Sequence, residues 1–90
     1  MPSGFDFGVA LQHLREGKRV KRSHWKNVDF IFLVAGSKFS VNRLPLNQFF
    51  VEGTEIKYRP HIDMCGIDGS VGVWTASNGD ILASDWEVYE

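Results

Sequence analysis

The sequence predicts an α+β domain, with one N-terminal helix packed on a small antiparallel sheet of five or six short strands. Three observations carry this reading. Only one stretch, near the start, spaces its apolar residues at helical intervals. Most of the remaining chain consists of short runs of alternating or continuous apolar character, separated by Gly, Asn, Asp and Pro. Successive short strands joined by tight turns pair antiparallel.

Asp6–Gly17 is the helix. Asp6 can cap its start through the carboxylate. Phe7, Ala10, Leu11 and Leu14 form one apolar stripe, Arg15 lies in the last turn, and Gly17 comes next at the stop position. A helix this short is marginal alone and must dock on something. Arg19–Arg22 reads as a short polar strand and Ser23–Asn27 as a loop with Trp25 at its centre. The run Lys18–Arg22 suits an edge strand guarded by charge, or a source of positive potential beside Trp25. Asp29–Ala35 is almost continuously apolar, fit for a central strand. Gly36-Ser37 reads as a turn, with Lys38–Asn42 as the second strand of that hairpin. Pro45 stops regular pairing, and Leu46–Gly53 is irregular or a single helical turn. Glu55–Arg59 alternates again; Pro60 ends that strand or marks an edge, or His61–Met64 continues it past a bulge. Asp68-Gly69 is a hairpin signal before the strand Ser70–Thr75. Asn78-Gly79 reads as another turn, Ile81–Asp85 as a helical turn and Trp86–Tyr89 as a final strand.

The 90 residues suit a single domain over the whole length, near the small end of what folds alone. Composition is that of an ordinary globular chain, 43% apolar and 23% charged. No run of about 18 apolar residues is present, so no membrane span is expected. The opening residues lack the basic and apolar pattern of a signal peptide. A lone Cys65 makes no internal disulfide and builds no zinc site with the scattered histidines. A net charge of -1 argues against a partner that is polymeric nucleic acid, yet leaves room for a small anion. The outlier is aromatic content: seven Phe, three Trp and two Tyr. So small a chain has little depth for a closed cavity, which favours a surface groove or a pocket completed by other copies in a homo-oligomer.

Dinucleotide and phosphate loops are absent, as are the zinc-protease and nucleophile-elbow patterns. His61-x-Asp63 near Cys65 is the only cluster that resembles catalytic machinery. It lacks the third group a nucleophile or a metal needs, so the expectation is no enzyme, no metal and no cofactor.

Three stretches are distinctive together: FLVAGSKFSVNRLPL (Phe32–Leu46), EGTEIKYRPHIDM (Glu52–Met64) and ILASDWEVY (Ile81–Tyr89). With the opening helix, Arg22-x-x-Trp25 and Trp74, the sequence resembles the phage family of the second Thoeris anti-defence protein from Phe7 to Val88. The stretches Met64–Ile67 and Ser77–Asp80 depart from the family's usual wording, which bears on ligand preference. The resemblance implies a sponge rather than an enzyme. Members sequester immune signalling nucleotides, chiefly glycocyclic ADP-ribose, in the cytoplasm of the infected host. Some also hold cyclic dinucleotides in a separate pocket. They are homotetramers with pockets between subunits.

The residues allow such a role, each beside a plainer one. A cyclic nucleotide needs aromatic faces for its bases and donors for its phosphates; stacking contributes about 1–3 kcal/mol per base. Trp25 and Trp74 are the stacking candidates, with core packing as the alternative. Trp86 reads as core. Asn42 and Arg43 suit a base edge and a phosphate, or a turn and a solvated charge. Arg59, His61 and Asp63, beside Tyr58, can share one face, as a site, an interface or an Arg59–Asp63 ion pair bracing a strand. Asp85 suits a ribose hydroxyl, or a brace for the turn before Trp86. Two other functions stay in view: an oligomeric protein-interaction adaptor, and a small hydrolase using His61 and Asp63.

Overall fold

The computed structural model of the chain describes residues 4–90. The helix α1 is Phe7–Arg15, and Asp6 caps it by accepting the Val9 amide at 2.9 Å. It stops as expected. Gly17 takes φ +85°, and the amides of Gly17 and Lys18 return to the carbonyls of Leu14 and His13.

The body is a five-stranded antiparallel sheet of β1 (Val20–Arg22), β2 (Val28–Val34), β5 (His61–Gly66), β6 (Val71–Val73) and β7 (Trp86–Val88), in the order β6-β5-β2-β1-β7. Helix α1 covers one face. Ala10 and Leu14 meet Val20, Ile31 and Trp86 in a core whose members are all 0% exposed. Strand β2 is central, as its apolar run predicts, and the Asp68-Gly69 turn closes β5 onto β6 with Gly69 at φ +84°. The architecture is α+β, with a further two-stranded sheet beside the main one. Among the described residues, no helix is long and apolar enough to cross a membrane.

Three expectations change. The first is the hairpin at Gly36-Ser37. Strand β3 (Ser37–Ser40) pairs with β4 (Glu55–Tyr58), not with β2. The register Val34↔His61 in the main sheet continues as Ser37↔Tyr58 beyond it. Strands β2–β3 and β4–β5 are thus one long ribbon, interrupted where Pro60 offers no amide. Gly36 gives room rather than a turn: a Cβ there would lie 2.7 Å from the Tyr58 carbonyl oxygen and 3.2 Å from Pro60. The result is an arm. The protein measures 56 × 26 × 25 Å, with a radius of gyration of 16.2 Å against about 12 Å for a compact chain of this length. At its tip, residues 41–54 fold back through a 3-10 turn at Leu46–Gln48, and Val41 is the buried residue there.

The second change concerns β1. It is not an edge strand, because β2 and β7 flank it on both sides. Its charges have partners: Lys21 meets Glu87 at 3.6 Å, and Arg22 meets Asp80 and Asp85.

The third concerns Asn78-Gly79, which is not a free turn. It opens a short helix α2 (Asn78–Leu82) capped by Ser77, whose hydroxyl accepts the Asp80 amide while the Asp80 carboxylate accepts the Ser77 amide. The Ser77-x-x-Asp80 spacing is the sequence signal for that reciprocal cap. The helical turn therefore falls earlier than Ile81–Asp85.

Candidate functional site

The eight residues singled out from sequence fall in separate places. Asn42 and Arg43 lie at the arm tip, where they line a concavity of about 520 Å³ together with Phe39, Leu44, Pro45 and Tyr58. The Phe39 and Tyr58 rings stand 5.1 Å apart, tilted by 46°. They are diagonal neighbours across the β3–β4 ladder, since Phe39 pairs with Ile56 and Ser37 with Tyr58. Arg43 is exposed and makes no ion pair among the described residues. An extended fork of donors thus stands beside two aromatic faces. Sequence reading missed Phe39, because its neighbour is known only once β3 is paired with β4.

A second concavity, about 640 Å³, runs between α1 and the start of β5. Phe7, Leu11, Arg15, Leu33, His61 and Trp74 line it. It is largely apolar, with Arg15 as its cation. Trp74 also reaches inward, its ring 6.0 Å from Trp86 and 6.1 Å from Phe7. Trp25 lines neither concavity. It is half-buried, 5.3 Å from Trp86 with the planes at 82°, and 6.3 Å from Trp74. The three tryptophans form one edge-to-face cluster, with Trp86 buried at its centre.

His61 and Asp63 share a face of β5, as their alternation requires. His61 Nε2 lies 3.4 Å from Asp63 Oδ1, and His61 Nδ1 lies 3.1 Å from the Arg59 carbonyl oxygen. The 3.4 Å approach is not an aligned hydrogen bond. Oδ1 is closed to solvent and has no hydrogen-bond partner. Among the described residues, Arg59 forms no ion pair with Asp63; the side chain that approaches Asp63 is the His61 imidazole.

Asp85 is committed to a network. Its carboxylate accepts from Arg22 Nε at 2.9 Å and from the Ser23 hydroxyl at 3.2 Å, and meets His24 Nδ1 at 3.0 Å. Arg22 also donates to Asp80 at 3.0 Å, tying β1 to the cap of α2. The Arg22 hydrogen bond outweighs burial and lowers the Asp85 pKa to about 2. The Arg22 pKa rises in response, chiefly through Asp85. This is the brace expected for the turn before Trp86. It sets a pH dependence. A depressed carboxylate contributes stability that is complete above its ordinary pKa of 3.8 and lost as pH falls through the folded value near 2. Discounted for its partial exposure, the contribution is about 1 kcal/mol. Denaturant unfolding of wild type and Asp85→Asn should therefore differ by about that amount at pH 6 and converge toward pH 2. A constant gap would mean that the charge is not what braces the turn.

Two groupings thus have the chemistry of a ligand site: the arm tip with Asn42 and Arg43, and the groove with His61 and Trp74. The first offers stacking faces and an unpaired cation, the second a larger apolar wall. No curated protein matches the chain. A family model, that of the Thoeris anti-defense 2-like domain, matches residues 5–89. That span takes in the helix, the sheet and the whole arm, together with both concavities. The chain belongs to the Thoeris anti-defense 2-like family, and its role is to counter Thoeris defence.

Proposed function

We propose that the protein acts as a sponge in the cytoplasm of an infected bacterium. It binds a cyclic ADP-ribose-type signal, glycocyclic ADP-ribose first among them, and holds it without cleaving it. Cyclic dinucleotides are the second ligand class, with the groove at Trp74 as their place. The observation that carries the reading is the arm-tip concavity, where the exposed Arg43 stands beside Phe39 and Tyr58. Arg43 suits a phosphate, Asn42 a base edge, and the rings a base. Residues 35–60 hold four basic and two acidic side chains, although the chain as a whole carries -1. The arm thus presents positive potential to a dianion.

Sequestration needs affinity rather than turnover. Depleting a signal present below micromolar levels takes a Kd of about 1 nM, or about -12 kcal/mol. One open concavity on a thin arm encloses a ligand on one side only, so the proposal includes a homo-oligomer, a tetramer, in which a second copy closes the site. The exposed Phe49 and Val51 in the same tip segment, 73% and 81% accessible, are consistent with that cover. The same exposed residues favour a second reading, an adaptor that binds a protein partner and no nucleotide.

The test is retention. Purified protein is incubated with glycocyclic ADP-ribose, freed of unbound ligand, heated, and its supernatant analysed. Intact nucleotide in near-stoichiometric amount is the expected result. A chemically changed nucleotide makes the protein an enzyme. Folded protein that retains none of it, nor any cyclic dinucleotide, leaves the adaptor.

A further inference from the structure

The sheet has two edges, and they are treated differently. At β7 the edge is closed at Trp86, whose amide and carbonyl both bond to Phe5, at 3.1 and 2.9 Å. The strands of the arm carry Lys38 and Lys57 directly opposite each other, charges that discourage further pairing. Strand β6 has neither protection. Its residues are Val71, Gly72 and Val73, without charge or proline, and both valines are largely exposed, at 58% and 69%.

The ladder with β5 shows which backbone groups β6 leaves open. Trp74 donates to the Ile62 carbonyl and Gly66 to the Ser70 carbonyl, in register with Met64↔Gly72. Hydrogen-bonded pairs alternate along an antiparallel ladder, so Gly72 spends its amide and carbonyl on Met64. The amides and carbonyls of Val71 and Val73 point outward. These four groups are spaced symmetrically about Gly72.

We infer that β6 is a seam between two copies of this chain, paired antiparallel about a two-fold axis through Gly72. In that arrangement Val71 exchanges both hydrogen bonds with the partner's Val73, and Val73 with the partner's Val71. The outward groups of both strands are then all used. Gly72 faces the partner's Gly72 as a non-bonded pair, the closest approach in a ladder, where the absence of a side chain leaves room. The rows Phe30–Cys65–Val71 and Phe32–Asp63–Val73 also run on into the partner's rows, extending the sheet face turned away from α1. A second copy is the occupant because the strand is complementary to itself in both polar groups and side chains. The inference rests on the homo-oligomer proposed above and names one of its interfaces.

Disulfide trapping tests it. In a Cys65→Ser background, Gly72→Cys should cross-link two chains rapidly under mild oxidation, since non-bonded pairs stand about 4.5 Å apart at Cα, within disulfide reach. The position tolerates the change: a Cβ there meets nothing within 4 Å. Val71→Cys in the same background should not cross-link, because it faces the partner's Val73. Val73→Lys should weaken association about tenfold or more in sedimentation velocity, by removing the apolar cross-strand pairs. An assembled protein in which Gly72→Cys cross-links no faster than Val71→Cys overturns the seam and leaves the homo-oligomer standing. A wild-type monomer overturns both. Cross-linking of Gly72→Cys with a nucleotide-free protein supports the seam and counts only against the ligand reading.

Discussion

Arg43→Ala should leave the protein folded and cost it about 10–150-fold in affinity for glycocyclic ADP-ribose, the equivalent of a charge-assisted hydrogen bond of about 1.5–3 kcal/mol. The side chain is exposed and has no ion-pair partner among the described residues, so thermal unfolding should shift little. Arg43→Lys keeps the charge but not the planar fork that engages two phosphate oxygens at once, and should fall between. Isothermal titration beside a melting curve reads both quantities. Unchanged affinity in Arg43→Ala would move the site away from the arm tip, with the groove at Trp74 next in line.

Trp86→Ala should have the largest effect on stability. Trp86 is fully buried and packs against Phe7, Trp25 and Trp74, and its Nε1 donates to the Asp80 carbonyl at 2.9 Å. Removing so large a side chain costs about 3–5 kcal/mol. A domain of this length has about 5–13 kcal/mol in total. The melting temperature should therefore drop by about 15–30 °C in calorimetry. Trp86→Phe keeps a ring in the cluster, loses the bond to Asp80, and should lie between. A loss of only a few degrees would show that the three-tryptophan cluster is not where the body gets its cohesion.

What the sequence made legible was local. The capped helix with its glycine stop, the apolar run of β2, the Asp68-Gly69 turn and the buried Trp86 each depend on spacing within a dozen residues. What it concealed was pairing between distant segments. Gly36-Ser37 looks like a hairpin because Gly-Ser often turns a chain; whether it does depends on Pro60 and Tyr58, more than twenty positions away. The charges of β1 look like edge protection until Asp80, Asp85 and Glu87 are brought alongside by β7. The candidate site divides in the same way. Asn42 and Arg43 were visible as residue types, while Phe39 became their neighbour only through the β3–β4 register. Trp25 and Trp74 stood out as stacking candidates with core packing as the alternative, and the structure places both against Trp86, with Trp74 also facing a groove.

The core is written at the two ends of the chain, where Phe5 bridges to Trp86 and Val20 pairs with Val88, and the arm is written in the middle. Residues 41–54, the most remote from that core, include one buried side chain, Val41. Substitutions at the exposed positions around Val41 reshape the tip concavity with little loss of stability. On the proposed function, a change in the chemistry of the signal can be answered by drift in a short central stretch, with the folding instructions on either side left untouched.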